Sequence, residues 1–403
     1  MILTEPRRLF TLALVAGLLV ALPLLAYNYL PARWPLDVAD HAVGRDFVNL
    51  WVAGRLLLEG QWPALFDVQA YIAALHRLFH PALAPHFWSY PPSNFFIAVP
   101  LAVLPYGLAL AVWTVAGLAA ILWATRLGLA AEARRHATLL VLLAPATLTS
   151  VLCGQNGFFT GALVAGALLL LDRRPIAAGV LAGLLSLKPH LALVLMPALL
   201  ALGAWRTILA AGATALVLAL ASVAAFGWGP WQAFLEATVP NQGAMLKAFS
   251  GFFTMMLVSP YAMLRHWGLA HGLAMGLQAI IAVAAIALVM VSVRRTQDAS
   301  LRLGLVAAGT FVASPYALTY DLPVLAVALA RLAARPQTRW TRGEAALVCA
   351  VLAMPLAAPV LSILHLPLVP LLTGALLLTL ASPLVIRKKT IQNNGIKRII
   401  SVP

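Results

Sequence analysis

The stretch "AVGRDFVNLWVAG" (42–54) sets an arginine, Arg45, beside a carboxylate, Asp46, at the head of a helical pattern in a mostly apolar chain. A charge in such surroundings is costly unless it is used, capped or wet. Asp is a common helix N-cap, worth about 1 kcal/mol, so capping is the plain alternative to chemistry for Asp46. Further along, "SLKPHL" (186–191) places Lys188 between two short apolar runs. On insertion scales an ammonium at membrane depth costs roughly 2.5–3.5 kcal/mol unless it meets an anion or water. Lys188 therefore asks for a partner, and a phosphate would suit a compact ammonium; otherwise it must snorkel toward the headgroups. "SPYALTYDL" (314–322) carries Tyr320 and Asp321 at a helix start, where each could serve as interfacial aromatic or cap. A carboxylate at a membrane boundary is nevertheless a functional candidate by default. "CGQNGFF" (153–159) inserts Gln155 and Asn156 between apolar runs, where they can bind a ligand or simply hydrogen-bond neighbouring helices. His76 and His80 stand one turn apart, a spacing that can bind zinc. No third ligand is identifiable, and no metal is expected. Asp67 reads as an N-cap and Glu59 as part of a solvated helix end.

The elements that carry these residues follow from composition. Of 403 residues, 63% are hydrophobic and 10% charged, and the mean hydropathy is +0.94. A soluble domain has about a quarter of its residues charged, so the chain is a polytopic membrane protein. Cys153 and Cys349 lie far apart in apolar segments and define neither a disulfide nor a thiolate metal site. An apolar run at 9–29 is long enough to span, unlike the shorter core of a signal peptide, and is expected to be retained with its amino terminus cytoplasmic. Further spans are expected near 106–126, 137–152, 157–171, 175–187, 189–204, 207–226, 270–293, 301–316, 322–334, 344–364 and 367–386. The short, proline-bounded stretches at 93–105 and 252–264 read as half-membrane pieces. The fold expected is an all-α transmembrane bundle of about 12 spans. It forms a single membrane domain over 1–386, with a basic cytoplasmic tail at 387–403 lying on anionic lipid.

Charge supports this threading. It puts 20 of the 27 lysines and arginines on the cytoplasmic side and leaves seven outside, as the positive-inside rule demands. The net charge of +15 is thus topology, and a nucleic-acid partner has nothing left to explain. The first outer loop, 30–92, holds Asp37, Asp40, Asp46, Glu59 and Asp67, five of the twelve acids. Within it the apolar spacing predicts two amphipathic helices, over about 46–58 and 68–79, forming a lid in the interface.

Four stretches resemble glycosyltransferase family 87, integral-membrane enzymes of the GT-C superfamily. They are "GRDFVNLWVAGRLLLEG", "YPPSNFFIAVPLAVLPYGLALAVW", "GQNGFFTGALVAGALLLLDRRPIAAGVLAGLLSLKPHLALVLMPALL" and, more weakly, "SPYALTYDLPVL". The likeness runs from about 40 to 210, and the ordered group of motifs is more specific than any single one. It implies transfer of a hexose, mannose above all, from a polyprenyl-phosphate donor to a glycolipid or glycan acceptor on the outer face. On that resemblance Asp46 matches the superfamily's acid in the first outer loop and would be the general base. Lys188 would hold the donor phosphate, with Arg45, Arg55 or Arg33 as further members; snorkelling to water is the plain alternative for Arg45 and Arg55. Tyr90, Asn94, Gln155, Asn156, His190, Tyr320 and Asp321 would contact sugar or acceptor. No cofactor is implied, and with one base and no second nucleophile the outcome would be inversion. The expected location is a bacterial inner membrane, with both termini cytoplasmic and the site facing the periplasm. A secondary transporter or flippase of an envelope precursor is the rival reading. Broken helices and polar midplane islands suit it, but the clustering of acids in a loop does not.

Overall fold

The computed structural model describes residues 31–399 except 39, 252 and 335–339, together with three isolated residues at 15, 19 and 23. The side chains of 31–33 and 386–399 are outside that description. Apart from those three isolated residues, the expected first span at 9–29 falls outside the described residues, as do the side chain of Arg33 and the basic side chains of the tail.

The described chain is almost entirely helical. Strand pairing among the described residues amounts to a small ladder of Pro31–Arg33 with Leu36–Asp37 and two isolated bridges. In order, the helices are α1 (Phe47–Leu58), α2 (Val68–Leu78), α3 (Phe95–Ala102), α4 (Tyr106–Arg126), α5 (Ala131–Leu143), α6 (Pro145–Cys153), α7 (Gly157–Leu170) and α8 (Pro175–Leu184). Then follow α9 (Leu195–Ala201), α10 (Trp205–Phe226), α11 (Val239–Ala248), α12 (Pro260–His266), α13 (His271–Val293), α14 (Ala299–Ala313), α15 (Pro323–Ala333), α16 (Arg342–Ile363) and α17 (Val369–Ile399). Among the described residues, α4, α10, α13 and α16 are long and apolar enough to cross a membrane, and α5 with α6 makes a fifth candidate bent by 51°. Pro145 explains the bend, since its ring removes a helical hydrogen bond and clashes with the preceding turn. Eight further apolar helices among the described residues are shorter, so length and composition alone mark four or five spans there, a coarser result than the expected count of about 12.

The long helices turn apolar side chains outward: Leu209, Leu216 and Val217 on α10 and Ile280 and Val283 on α13 are all well exposed. An apolar surface on that scale belongs against lipid. Between helices, where lipid removes most of the hydrophobic drive, small residues allow close approach. On α8, a Cβ at Gly179 would lie 2.4 Å from the Thr207 carbonyl, and one at Gly183 2.5 Å from that of Ala211 on α10.

Buried apolar side chains gather into three clusters. The largest joins α4 to α9 with α13 to α17. A second is built by α1, α2, α3 and the start of α4. A third links α11, α12 and α13 to Leu318 and Tyr320. In the second cluster, α1 sits deeper than a surface lid would. It buries eight of its twelve residues, Asn49 included, whereas α2 buries only Tyr71, Ala74 and Leu75, the i, i+3, i+4 stripe expected of an amphipathic helix.

One end of the bundle is fastened by buried arginines. Arg331, at the end of α15, donates to the carbonyls of Thr125 (2.7 Å) and Leu127 (2.8 Å) at the end of α4 and to Ser300 Oγ (3.0 Å) on α14. Arg302 on α14 donates to Asp172, just past α7, at 3.2 Å. Arg126, itself exposed, adds a bond to Thr138 on α5 at 3.0 Å. Arginine-bearing segments that the sequence places on one side thus meet at one end, and the polar turns 153–157, 185–192 and 319–321 lie at the other ends of the same helices.

If the α8–α10 contact depends on missing side chains, Gly179→Leu should cost about 1–3 kcal/mol through overpacking. Gly212→Leu, on the same helix pair but with nothing within 4 Å of its added Cβ, should leave the denaturation midpoint in mixed detergent nearly unchanged.

Candidate active site

Asp46 directly precedes α1 but does not cap it: its side chain accepts nothing from the first turn. The local backbone explains why. Gly44 and Arg45 both have positive φ, 84° and 43°, a conformation that costs a non-glycine residue about 1 kcal/mol or more. Arg45 is held there by a 2.8 Å ion pair to the buried carboxylate of Asp37. The sharp turn directs Asp46 across the molecule, where its amide donates to the Cys153 carbonyl (3.1 Å) and its Oδ2 accepts from Gln155 Nε2 at 2.7 Å. Gln155 is fixed in turn, since Tyr90 donates its hydroxyl to Gln155 Oε1 at 3.0 Å.

The neighbouring residue performs the matching task for the cation. Asn156 Oδ1 accepts from Lys188 Nζ at 3.0 Å. Lys188 lies in a break between two 3-10 turns, Leu185–Leu187 and Pro189–Ala192; Pro189 disfavours helical backbone at the residue before it, so the chain opens there. Asn94 secures the same break by donating to the Leu187 carbonyl at 3.2 Å. The anion Lys188 requires is within the chain: Asp321 Oδ1 lies 2.5 Å from its Nζ, and the Tyr320 ring centroid 5.0 Å away. Lys188 is 6% exposed and Asp321 1%. Asp321 sits in the turn before α15; burial pushes its carboxyl up, but Lys188 and then His190 pull it down further, leaving it below the ordinary carboxylate value. His190 Nε2 stands 3.9 Å from Asp321 Oδ2, too far for a hydrogen bond, and its ring packs edge-on against Tyr316.

A close backbone contact brings the turn bearing Asp321 up to α7. A Cβ at Gly157 would lie 1.9 Å from the Tyr320 carbonyl, which also accepts from Ser150 Oγ at 3.1 Å.

Asp46 and Lys188 line one cavity of about 460 Å³. Tyr90, Asn94, Gln155 and Asn156 also line it, and much of the remaining lining is apolar, with Ile97, Trp123, Leu181, Leu184 and Leu218. Asp46 is the one carboxylate among the described residues lining it. The cavity is lined from two of the apolar clusters, with Phe47 and Leu50 belonging to the second and Ala162 to the first.

The residues singled out in the sequence are not all brought together. Arg45 is engaged with Asp37, and Arg55 lies over the Trp51 ring, 5.8 Å from its centroid; neither lines the cavity. Asp67 caps α2 through Ala70 N at 2.7 Å. Glu59 pairs with Arg77 at 2.7 Å. His76 and His80 are occupied with the backbone of Leu83 and Ala82. One residue was missed. His86 Nε2 lies 3.8 Å from Asp46 Oδ1, while its Nδ1 is 2.7 Å from the Ala84 carbonyl. That contact fixes Nδ1 as the donor and leaves Nε2 turned to the carboxylate as an acceptor when neutral. Its only signal in the sequence was a lone histidine between prolines just ahead of "YPPSN".

The glycosyltransferase family 87 model matches residues 88–315. That is more than half of the chain, which therefore belongs to glycosyltransferase family 87, and a GT-C placement is consistent with it. The protein is thus a glycosyltransferase built on membrane helices. Comparison with curated proteins and with solved structures gives no match. The matched segment includes Tyr90, Asn94, Gln155, Asn156, Lys188 and His190, while Asp46, Tyr320 and Asp321 lie outside it.

Removing one member of a buried ion pair strands the other charge. Asp321→Asn should cost about 3–5 kcal/mol of stability, and replacing both partners, Lys188→Met with Asp321→Leu, should cost much less. Thermal unfolding in detergent compares the two; equal losses would show that the pair does not behave as a unit.

Proposed function

We propose that this transferase moves a hexose, mannose in the first instance, from a polyprenyl-phosphate donor to an acceptor hydroxyl, with Asp46 as general base. The reading places the reaction on the periplasmic side of a bacterial inner membrane and keeps the fold of about 12 spans, with shorter helices completing the bundle. One observation carries it: adjacent residues, Gln155 and Asn156, hold a carboxylate and an ammonium on the wall of the same cavity.

The chemistry follows from that pairing. Asp46 takes the proton of the acceptor hydroxyl as its oxygen attacks the anomeric carbon; the bond from that carbon to the donor phosphate oxygen breaks, and polyprenyl phosphate leaves as an anion. A leaving group that is already anionic needs cations rather than an acid. Lys188 has three donor hydrogens, of which Asp321 and Asn156 engage two, and the third is available to a phosphate oxygen. In this arrangement Lys188, rather than Arg45 or Arg55, is the phosphate ligand. The apolar wall from Ile97 to Leu218 suits the first isoprene units. With one carboxylate on the cavity wall, a single displacement with inversion is the simplest course. Gln155 keeps Asp46 from capping its own helix, and His86 stands behind the second oxygen as a polar neighbour.

Purified full-length protein in detergent, given radiolabelled polyprenyl-phosphate mannose and an acceptor-lipid extract, should release polyprenyl phosphate. Asp46→Asn should lower turnover by roughly 10²–10⁴-fold with little change in thermal stability, and full activity in that variant would remove the base assignment. Lipid flux across proteoliposomes without sugar transfer would instead favour a flippase.

Because the Lys188 charge is balanced by Asp321, its role is tested in a neutral pair. Lys188→Met with Asp321→Asn should fold yet lose about 10²-fold or more in turnover with donor, whereas unchanged donor kinetics would reduce Lys188 to a structural partner of Asp321.

A further inference from the structure

A second cavity opens at the arginine-fastened end of the bundle. It measures about 1030 Å³, and its walls include Asp172, Trp205, Arg206, Arg294, Gln297 and Arg302. It is separated from the first by the length of α7: Asn156 precedes that helix and Asp172 follows it, and fourteen helical residues rise about 21 Å. It belongs to no step of the proposed transfer.

The three arginines differ in their commitments. Arg302 is 3% exposed and fully engaged, donating to Thr296 O (2.9 Å), Gln297 Oε1 (2.9 Å) and both oxygens of Asp172 (3.2 and 3.3 Å). That engagement consumes the one carboxylate on the wall. Arg206 and Arg294 are exposed, and no hydrogen bond or ion pair of either is found among the described residues. Both are rooted on helix ends facing the same space: Arg206 is the second residue of α10, and Arg294 directly follows α13. Beside them Trp205 is 62% exposed, an amphipathic ring suited to the headgroup level, and Leu200, Leu202 and Met290 add an apolar rim.

Two uncommitted guanidiniums lining one cleft, whose one carboxylate among the described residues is paired with Arg302, make an anion site rather than a generally basic surface. Guanidinium is the side chain best matched to phosphate oxygens, and basic pockets between membrane helices bind anionic headgroups. We infer that this cleft binds the phosphate group of an anionic ligand between Arg206 and Arg294, with the apolar rim taking adjoining hydrocarbon where the ligand is a lipid. The inference does not depend on which sugar is transferred, nor on Asp46 acting as base.

Native mass spectrometry of the full-length protein in neutral detergent tests it. The protein is titrated separately with dioleoyl phosphatidylglycerol, with dioleoyl phosphatidylcholine and with inorganic phosphate. Saturable one-to-one binding of a phosphate ligand is expected. It should weaken by about tenfold or more in Arg206→Gln with Arg294→Gln, which lose two charge-assisted contacts, and stay unchanged in Arg134→Gln with Arg135→Gln, exposed arginines on α5 outside the cleft. Binding of phosphatidylglycerol without inorganic phosphate identifies a lipid headgroup as the source; equal binding of inorganic phosphate identifies a soluble one. The inference is overturned if neither anion binds saturably, if phosphatidylcholine binds as tightly as phosphatidylglycerol, or if the two arginine pairs lose binding equally.

Discussion

The arrangement of this site depends on a two-residue polar step, Gln155–Asn156, set between apolar helices. Each charged group it holds has an easier alternative. Asp46, at the head of α1, would satisfy free amides by capping, and Lys188 would extend toward water. Gln155 gives the carboxylate a donor away from its own helix, and Asn156 gives the ammonium an acceptor inside the bundle. Because the two are consecutive in one turn, the side chains that hold the anion and the cation start from adjacent backbone positions.

That step is itself positioned by packing. The glycines that flank it, Gly154 and Gly157, approach the Gly44 carbonyl and the Tyr320 carbonyl respectively, and residues beside it pack on all three apolar clusters, Tyr90 on the second, Phe158 in the first and Cys153 on the third. Polar groups at such a junction can be held dry by several helices at once, which strengthens their mutual interactions. The same dryness makes an unpartnered charge costly. The Lys188–Asp321 pair resolves this within the protein and still leaves a donor for a ligand.

The helices were legible because apolar runs and their breakers are local properties. Tyr106–Arg126 and His271–Val293 agree with the expected spans almost to the residue, bounded by Pro105 and by the arginines after Val293. Gln155, Asn156, Lys188 and Asp46 stood out as polar residues in unsuitable surroundings, and the fold brings them to one cavity. What could not be read was pairing over distance. Lys188 called for an anion, and nothing local pointed to a partner 133 residues away. The Arg45–Asp37 bridge and the approach of His86 to Asp46 likewise depend on a loop whose path is set by tertiary contacts. The depth of α1 was missed for a related reason: periodicity marks one buried face, and a second is created by α3, whose Ala98 carbonyl would lie 2.2 Å from a Cβ at Gly54.

The arginine bracing described for the far end has a mechanical corollary. Arg331 and Arg302 tie α4, α7, α14 and α15 together through buried guanidiniums, whereas the cavity end is built from turns and 3-10 segments joined by side-chain bridges. A bundle braced by guanidiniums at one end has the geometry of tweezers, in which the braced end is the pivot and the far tips have the longest lever arm. In helices held this way, a small tilt at the clamped end grows along the length of α7 or α15 before it reaches the cavity.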